Sequence, residues 1–217
     1  MSVEPLTLLA GAVGAGAEPP DDPVSDRILD AALDLAAASG VQNLTMDAVA
    51  RRARVGRMTV YRRFGDRPAL IAALGAREGR RCLEQLDAAA GIDAPIADQV
   101  AAGFATSLRL AREHPLLSRL ARLEPGTVLT ALTEDGGALF ALAREYLSQR
   151  LRRSQRAGVL GALEVDEAAE LLVRLAISFV LIPESVLPLD DEGRVKRLAR
   201  ELLAPILTTG PRRTSAS

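Results

Sequence analysis

Apolar residues recur at three- and four-residue spacing in one segment after another, and polar or glycine-proline breaks divide the chain into a string of predicted helices. Ile28, Leu29, Ala32, Leu35 and Ala36 form the first stripe, with Asp30 and Asp34 off it. Ser25 or Asp26 marks its start and Gly40 its end. Val49, Ala50 and Ala53 follow behind Thr45, a natural N-cap, and Val60 and Phe64 then share one face of a short helix over 57–64. Asp66 caps and Pro68 opens a long helix that runs to about residue 90, because proline is tolerated where a helix has no partner for its N–H. Further helices are predicted over 96–113, 116–123, 127–132, 138–157, 167–182 (capped by Asp166) and 192–207. The last two long ones carry apolar faces wider than one core contact requires, through Leu171, Leu172, Leu175 and Phe179, and through Leu198 and Leu202.

The stretch 45–64 organises the rest, since it reads as two short helices joined by a turn with arginine crowding one side. Asp47 places negative charge in the first turn, where the helix dipole favours it. Arg54, Val55 and Gly56 form the break, Val55 as an apolar plug and Gly56 as a permissive N-cap. At roughly 100° per residue, Val60 and Phe64 face inward, Met58, Thr59 and Arg62 point away, and Arg57, Tyr61 and Arg63 flank. The outward face suits a DNA groove, because the arginine fork pairs with the O6 and N7 of guanine and can also clamp phosphate. On this wheel Arg57 and Arg62 are expected at base edges with Met58 and Thr59 beside them. Thr45, Tyr61, Arg63 and Arg67 are expected at phosphates.

The run Ala-Val-Ala-x-x-Ala-x-Val-Gly-Arg-x-Thr-Val-Tyr-Arg-x-Phe, followed by Asp66, Arg67 and Leu70, resembles the DNA-binding head of TetR-type transcriptional regulators. The resemblance covers roughly 25–81. It implies an all-α, two-domain homodimer, in which a three-helix head binds a palindromic operator on double-stranded DNA and a helical body releases it when a small-molecule effector arrives. It also implies that the two broad apolar faces form a four-helix dimer interface. Two residues depart from the family pattern: Arg54 stands where glycine is usual in the turn, and Gly56 where a serine or threonine cap is common. A left-handed Arg54 would carry strain on the order of 1–3 kcal/mol, so a rearranged turn is one expectation.

Composition sharpens this picture. Hydrophobic residues make up 48% of the 217 and aromatics 3%, with no tryptophan, and the surplus of alanine and leucine favours helices. Net charge is −1 but uneven: residues 1–24 balance to −4, residues 25–81 to +5 with eleven basic against six acidic, and residues 82–217 to −2. A basic head on a mildly acidic body is the footprint of a protein that touches phosphate with one end. With the roles that the resemblance implies, the domain plan is a disordered acidic tail (1–24), a helix-turn-helix domain (25–67), a helical regulatory and dimerisation domain (68–208) and a frayed end (209–217).

The same residues argue against other chemistries. One histidine, His114, and one cysteine, Cys82, leave no spacing for a metal cluster or a Cys-His nucleophile, so no cofactor and no enzyme activity are expected. Gly11, Gly14 and Gly16 lack the preceding strand and following lysine of a phosphate loop. No run reaches eighteen apolar residues and no basic segment precedes the apolar 6–16, which points to the cytoplasm and away from a membrane. What the resemblance implies for the body is a pocket, with Phe104, Leu108, Phe140 and Tyr146 as candidate lining and His114 as a polar contact. A helical module whose partner is protein, and a regulator without a ligand, are the alternatives left open.

Overall fold

The computed structural model describes residues 22–124, 126, 128, 129, 132 and 138–208, and every regular element among them is helical. In order these are α1 (Pro23–Ser39), a 3-10 turn (Val41–Asn43), α2 (Met46–Ala53), α3 (Arg57–Phe64), α4 (Arg67–Ala89), α5 (Ile96–Glu113), α6 (Pro115–Leu123), α7 (Ala138–Arg156), α8 (Val165–Leu181), α9 (Glu192–Leu198), a π-helical turn (Ala199–Leu203) and α10 (Ala204–Thr208). They sort into two compact units, Met1–Cys82 with Glu113–Leu142, and Leu83–Arg112 with Ala143–Ser217.

The first unit is larger than the helix-turn-helix segment drawn from sequence. Ile28 and Leu29 of α1, Val49 of α2, Val60 of α3 and Leu70, Ile71 and Leu74 of α4 are fully buried in one core, and Leu116 and Leu120 of α6 join them. Each such side chain stabilises the fold by about 1.5–3 kcal/mol relative to exposure, so α4 and α6 are part of what holds α2 and α3 in place. Polar contacts add to this. Arg119 on α6 donates to the carbonyls of Ala37 and Ala38 at the end of α1, at 3.4 and 3.1 Å, where helix carbonyls lack partners.

Several boundaries differ from the sequence reading. α1 begins at Pro23 rather than Ser25 or Asp26, because the Asp22 carboxylate accepts hydrogen bonds from the N–H groups of Val24 and Ser25 at 3.0 and 3.2 Å. Residues 22–24, in the tail of the sequence reading, are therefore helix cap and first turn; the rest of that tail, the end 209–217 and half of the short piece 127–132 lie outside the described residues. Asp166 does not cap α8, which starts one residue earlier, and its carboxylate instead takes Arg152 Nη2 at 2.7 Å on both oxygens. The last helix is not continuous. Pro205 has no N–H for the carbonyl four residues back, and the π turn absorbs the mismatch with a bond from Ala204 N–H to the Ala199 carbonyl.

The second unit has its own core, built from Phe104 and Leu108 of α5, Leu151 of α7, Leu172 of α8, and Val195, Leu203 and Leu207 at the end of the chain. Phe104 meets Phe179 edge to face at 5.7 Å between ring centroids. Near the end of α4, Arg150 pairs with Asp87 and donates to the Ala90 carbonyl, while the Tyr146 hydroxyl donates to Asp87 at 2.8 Å. Burial first, then that bond to a carboxylate, pushes the Tyr146 phenol up to about 12.

Candidate nucleic-acid interface

α2 starts where the Thr45 hydroxyl accepts from the Ala48 N–H at 3.2 Å, with Asp47 in its first turn. It ends at Arg54, which has φ 54° and ψ 46°, the one non-glycine residue at positive φ among those described. The turn is not rearranged. Arg54 N–H donates to the Arg51 carbonyl at 3.2 Å and Val55 N–H to the Ala50 carbonyl at 3.0 Å, the paired bonds of a Schellman C-cap. That motif normally rests on glycine, so Arg54 carries the left-handed strain in order to close the turn. Gly56 then caps α3 through its backbone, with no side-chain bond.

α3 buries two residues, Val60 and Phe64, as the wheel predicts, and the half-buried Tyr61 packs against the same core. Its outward side chains separate into held and free ones. Arg57 lies over the Tyr61 ring at 5.3 Å and its Nη2 donates to the Tyr61 hydroxyl at 3.4 Å. Arg57 Nε also lies 2.9 Å from Asp47 Oδ1, an ion pair whose N–H is not aligned for a hydrogen bond. The Tyr61 hydroxyl first, and then the Asp47 charge, raise the Arg57 pKa, and the same two contacts aim the guanidinium, charged in any case, from one side of the helix. Met58 is 77% exposed. Arg62 is exposed, and Thr59 is half-buried beside Gly56.

Two arginines expected at phosphates are engaged inside the protein. Arg63 pairs with Asp22 and donates to Ser25 Oγ at 3.0 Å, which ties the end of α3 to the start of α1. The Ser25 hydroxyl donates to Asp22 at 2.6 Å, and this bond first, then the two backbone bonds and the Arg63 charge, hold the Asp22 carboxyl below its ordinary value. Arg67 donates Nε to the Leu44 carbonyl at 2.7 Å, and Nη2 to those of Val41 and Gln42 at 3.1 and 2.9 Å. It satisfies the loop that precedes Thr45. Neither partnership is legible in sequence: Asp22 and Arg63 stand 41 positions apart, and carbonyl acceptors leave no residue-type signal. In sequence Asp47 is a helix-dipole residue, and its place beside Arg57 follows only from the angle between α2 and α3.

The remaining candidates fall as follows. Phe104 and Leu108 are buried in the core of the second unit, and Tyr146 is in the Asp87–Arg150 network there. His114 and Phe140 belong to the first unit, His114 as the N-cap of α6 and Phe140 half-buried on α7. Of the apolar faces, Leu171 and Leu202 are 45% and 59% exposed, Leu175, Phe179 and Leu198 half-buried, and Leu172 buried. Leu198 and Leu202 also line an open cavity of about 230 Å³ with Pro188, Arg194, Arg197 and Glu201. Among the described residues no group of three or more His, Cys, Asp or Glu could hold a metal, and no helix is long and apolar enough to cross a membrane.

Comparison with known proteins fits this geometry. Residues 28–74 match the family described as bacterial regulatory proteins, tetR family, and residues 96–209 match the bacterial tetracyclin repressor, C-terminal domain. An uncharacterized HTH-type transcriptional regulator of Mycobacterium tuberculosis is 26% identical over 85% of either chain, and the HTH-type transcriptional regulator AlkX of that organism is 28% identical over 83% of either. The crystal structure of the TetR family repressor AlkX from a Dietzia strain, implicated in biodegradation of n-alkanes, superposes with a TM-score of 0.57 at 25% identity, covering 88% of this chain and 97% of that one.

Proposed function

Because the chain belongs to the tetR family of bacterial regulatory proteins and is a DNA-binding transcription regulator rather than an enzyme, we propose that it represses as a homodimer on a palindromic operator and is released by an apolar small molecule. The observation that carries this reading is the outward face of α3, where Arg57 is held in place by Tyr61 and Asp47 while Met58 and Arg62 stand exposed above a buried Val60 and Phe64. Arg57 and Arg62 then meet base edges beside Met58 and Thr59, and Thr45 and Tyr61 meet phosphates. With Arg63 and Arg67 bound internally, their part is to fix the frame that presents α3. Two such helices must stand about one DNA turn apart, ~34 Å, to enter successive major grooves, which requires a dimer. The exposed Leu171 and Leu202, with the half-buried Leu175 and Leu198, supply the apolar face for it.

The effector reading rests on the second unit, whose core of Phe104, Leu108 and Leu172 offers apolar contact and few aromatics. The n-alkane biodegradation in which the Dietzia repressor is implicated makes alkyl compounds the first class to test. Coupling would pass through α4, which contributes residues to both units. Selection of bound sites from random DNA by the full-length protein tests the reading. A palindromic consensus is expected; the absence of any enriched sequence would leave a helical protein-binding module as the better account.

A further inference from the structure

On the outward stripe of α3 two side chains stand one helical turn apart, and both are unengaged. Met58 is 77% exposed. Arg62, four residues on, is exposed and makes no hydrogen bond or ion pair among the described residues. Their neighbours are not free: Arg57 is drawn toward Asp47 and Tyr61, and Arg63 toward Asp22 and Ser25. A single exposed apolar side chain is ordinary on a protein surface. This one sits on the second residue of a helix flanked by arginines, where a charged or amide side chain would gain phosphate or base contacts that methionine cannot make.

A thioether side chain offers a groove no useful donor and only a weak acceptor, so its affinity has to come from apolar contact. Within the major groove of unmodified DNA the one apolar group on a base edge is the C5-methyl of thymine. Residues four apart on a helix are separated by about 6 Å of rise, against about 3.4 Å per base along a strand, so two such side chains reach bases one or two steps apart. Arg62, with its fork free, has the geometry for guanine O6 and N7.

We propose that Met58 reads the 5-methyl group of a thymine in each half-site, one or two base pairs from a guanine read by Arg62. Selectivity at that position is then a matter of one methyl group, and a hydrogen-bonding base edge without it is a poorer site. The inference rests on DNA recognition through α3.

The test uses the full-length protein and a site selected from random DNA. Each thymine of that site is replaced in turn by deoxyuridine, which keeps the base pair and removes only the methyl. At one position per half-site affinity should fall about fourfold, the fold-change equivalent to about 0.8 kcal/mol for one buried carbon. Met58→Ala should bind the thymine and uracil sites alike while keeping the guanine preference, and Met58→Leu should restore the difference. Equal binding of every uracil-substituted site, or a thymine preference that survives in Met58→Ala, overturns the inference while leaving DNA recognition standing. Failure to select any site overturns both.

Discussion

Glu78 on α4 and His114 at the N-cap of α6 meet at 3.1 Å, Oε2 to Nε2, in a contact closed across 36 positions of sequence. His114 Nδ1 accepts from the Leu117 N–H at 3.4 Å, which leaves the proton on Nε2 to be donated to Glu78. Arg77 Nε reaches the other Glu78 oxygen at 2.8 Å, Arg81 reaches it at 3.3 Å, and Arg77 Nη1 reaches Asp30 at 2.8 Å. Glu78 and Arg77 are both buried, 6% and 5% exposed. Such a pair is weak evidence for net stabilisation, but removing one partner strands the other.

Burial pushes the Glu78 carboxyl up, and the hydrogen bonds from His114 and Arg77 with the charges of Arg77 and Arg81 outweigh it, so the group titrates below the ordinary 4.5. A depressed carboxylate contributes stability that is present above that ordinary value and is lost as pH falls through the folded one. Glu78→Gln should therefore cost about 3 kcal/mol at pH 7, a cost typical of breaking a buried pair. In urea unfolding the gap between wild type and variant should close as pH drops below 4.5. A gap that stays constant down to acid unfolding would remove the charge network from the account.

Arg54→Gly should stabilise the protein. Glycine adopts φ 54° without the left-handed penalty of an L side chain, so about 1 kcal/mol is recovered, less the extra chain entropy of glycine in the unfolded state. Thermal unfolding should shift upward by a few degrees. An unchanged or lower midpoint would mean that the Arg54 side chain contributes elsewhere.

Arg62→Ala and Arg67→Ala should part company. Arg62 touches no protein partner among the described residues, so its loss should leave the melting midpoint alone and relax base preference by ~1–3 kcal/mol per half-site. Arg67 satisfies the carbonyls of Val41, Gln42 and Leu44, and its loss should destabilise the head by about 1–3 kcal/mol. A shallower salt dependence of DNA binding in Arg67→Ala, with stability unchanged, would restore a direct phosphate role.

Leu171→Arg or Leu202→Arg should yield monomers in sedimentation at micromolar concentration, with loss of tight operator binding. These two are the cleaner probes because they are exposed in the single chain. Phe179 packs edge-on against Phe104, so Phe179→Arg would damage the core as well as the face. A dimer that persists in both leucine variants would place the interface elsewhere.

A compound that raises the melting point should weaken operator affinity, and saturating operator should weaken the compound by the same factor. A hundredfold factor corresponds to ~2.7 kcal/mol of coupling, and reciprocity is obligatory for binding free energies. Stabilising alkyl compounds that leave operator affinity untouched would detach the effector from the switch.

Much of this protein was legible before any coordinates. Local signals placed the helices: Thr45, Gly56 and Asp66 are start signals written in residue type, Gly40 is a stop, and the Val60–Phe64 spacing told which side of α3 is buried. Those signals are short-range, since caps and helical faces depend on neighbours within about one turn. The charge asymmetry and the 45–64 pattern also sufficed for the family and for the side of α3 that faces outward.

Tertiary structure decided the partners. The wheel separates Arg62 from Arg63 by direction, but nothing local says that Arg62 has no partner among the described residues while Arg63 is bound to Asp22 and Arg67 caps three carbonyls. Arg62 and Arg63 stand in the last turn of α3 and Arg67 opens α4, and only the approach of α1 and the 41–44 loop selects their partners. His114 is similar: in sequence it is a candidate polar contact in the body, while its bond to Glu78 exists because α4 and α6 share one core. Sequence periodicity fixes which way a side chain points from its own helix. Which acceptor waits there is set by elements tens of residues away, and that information enters only when the chain packs.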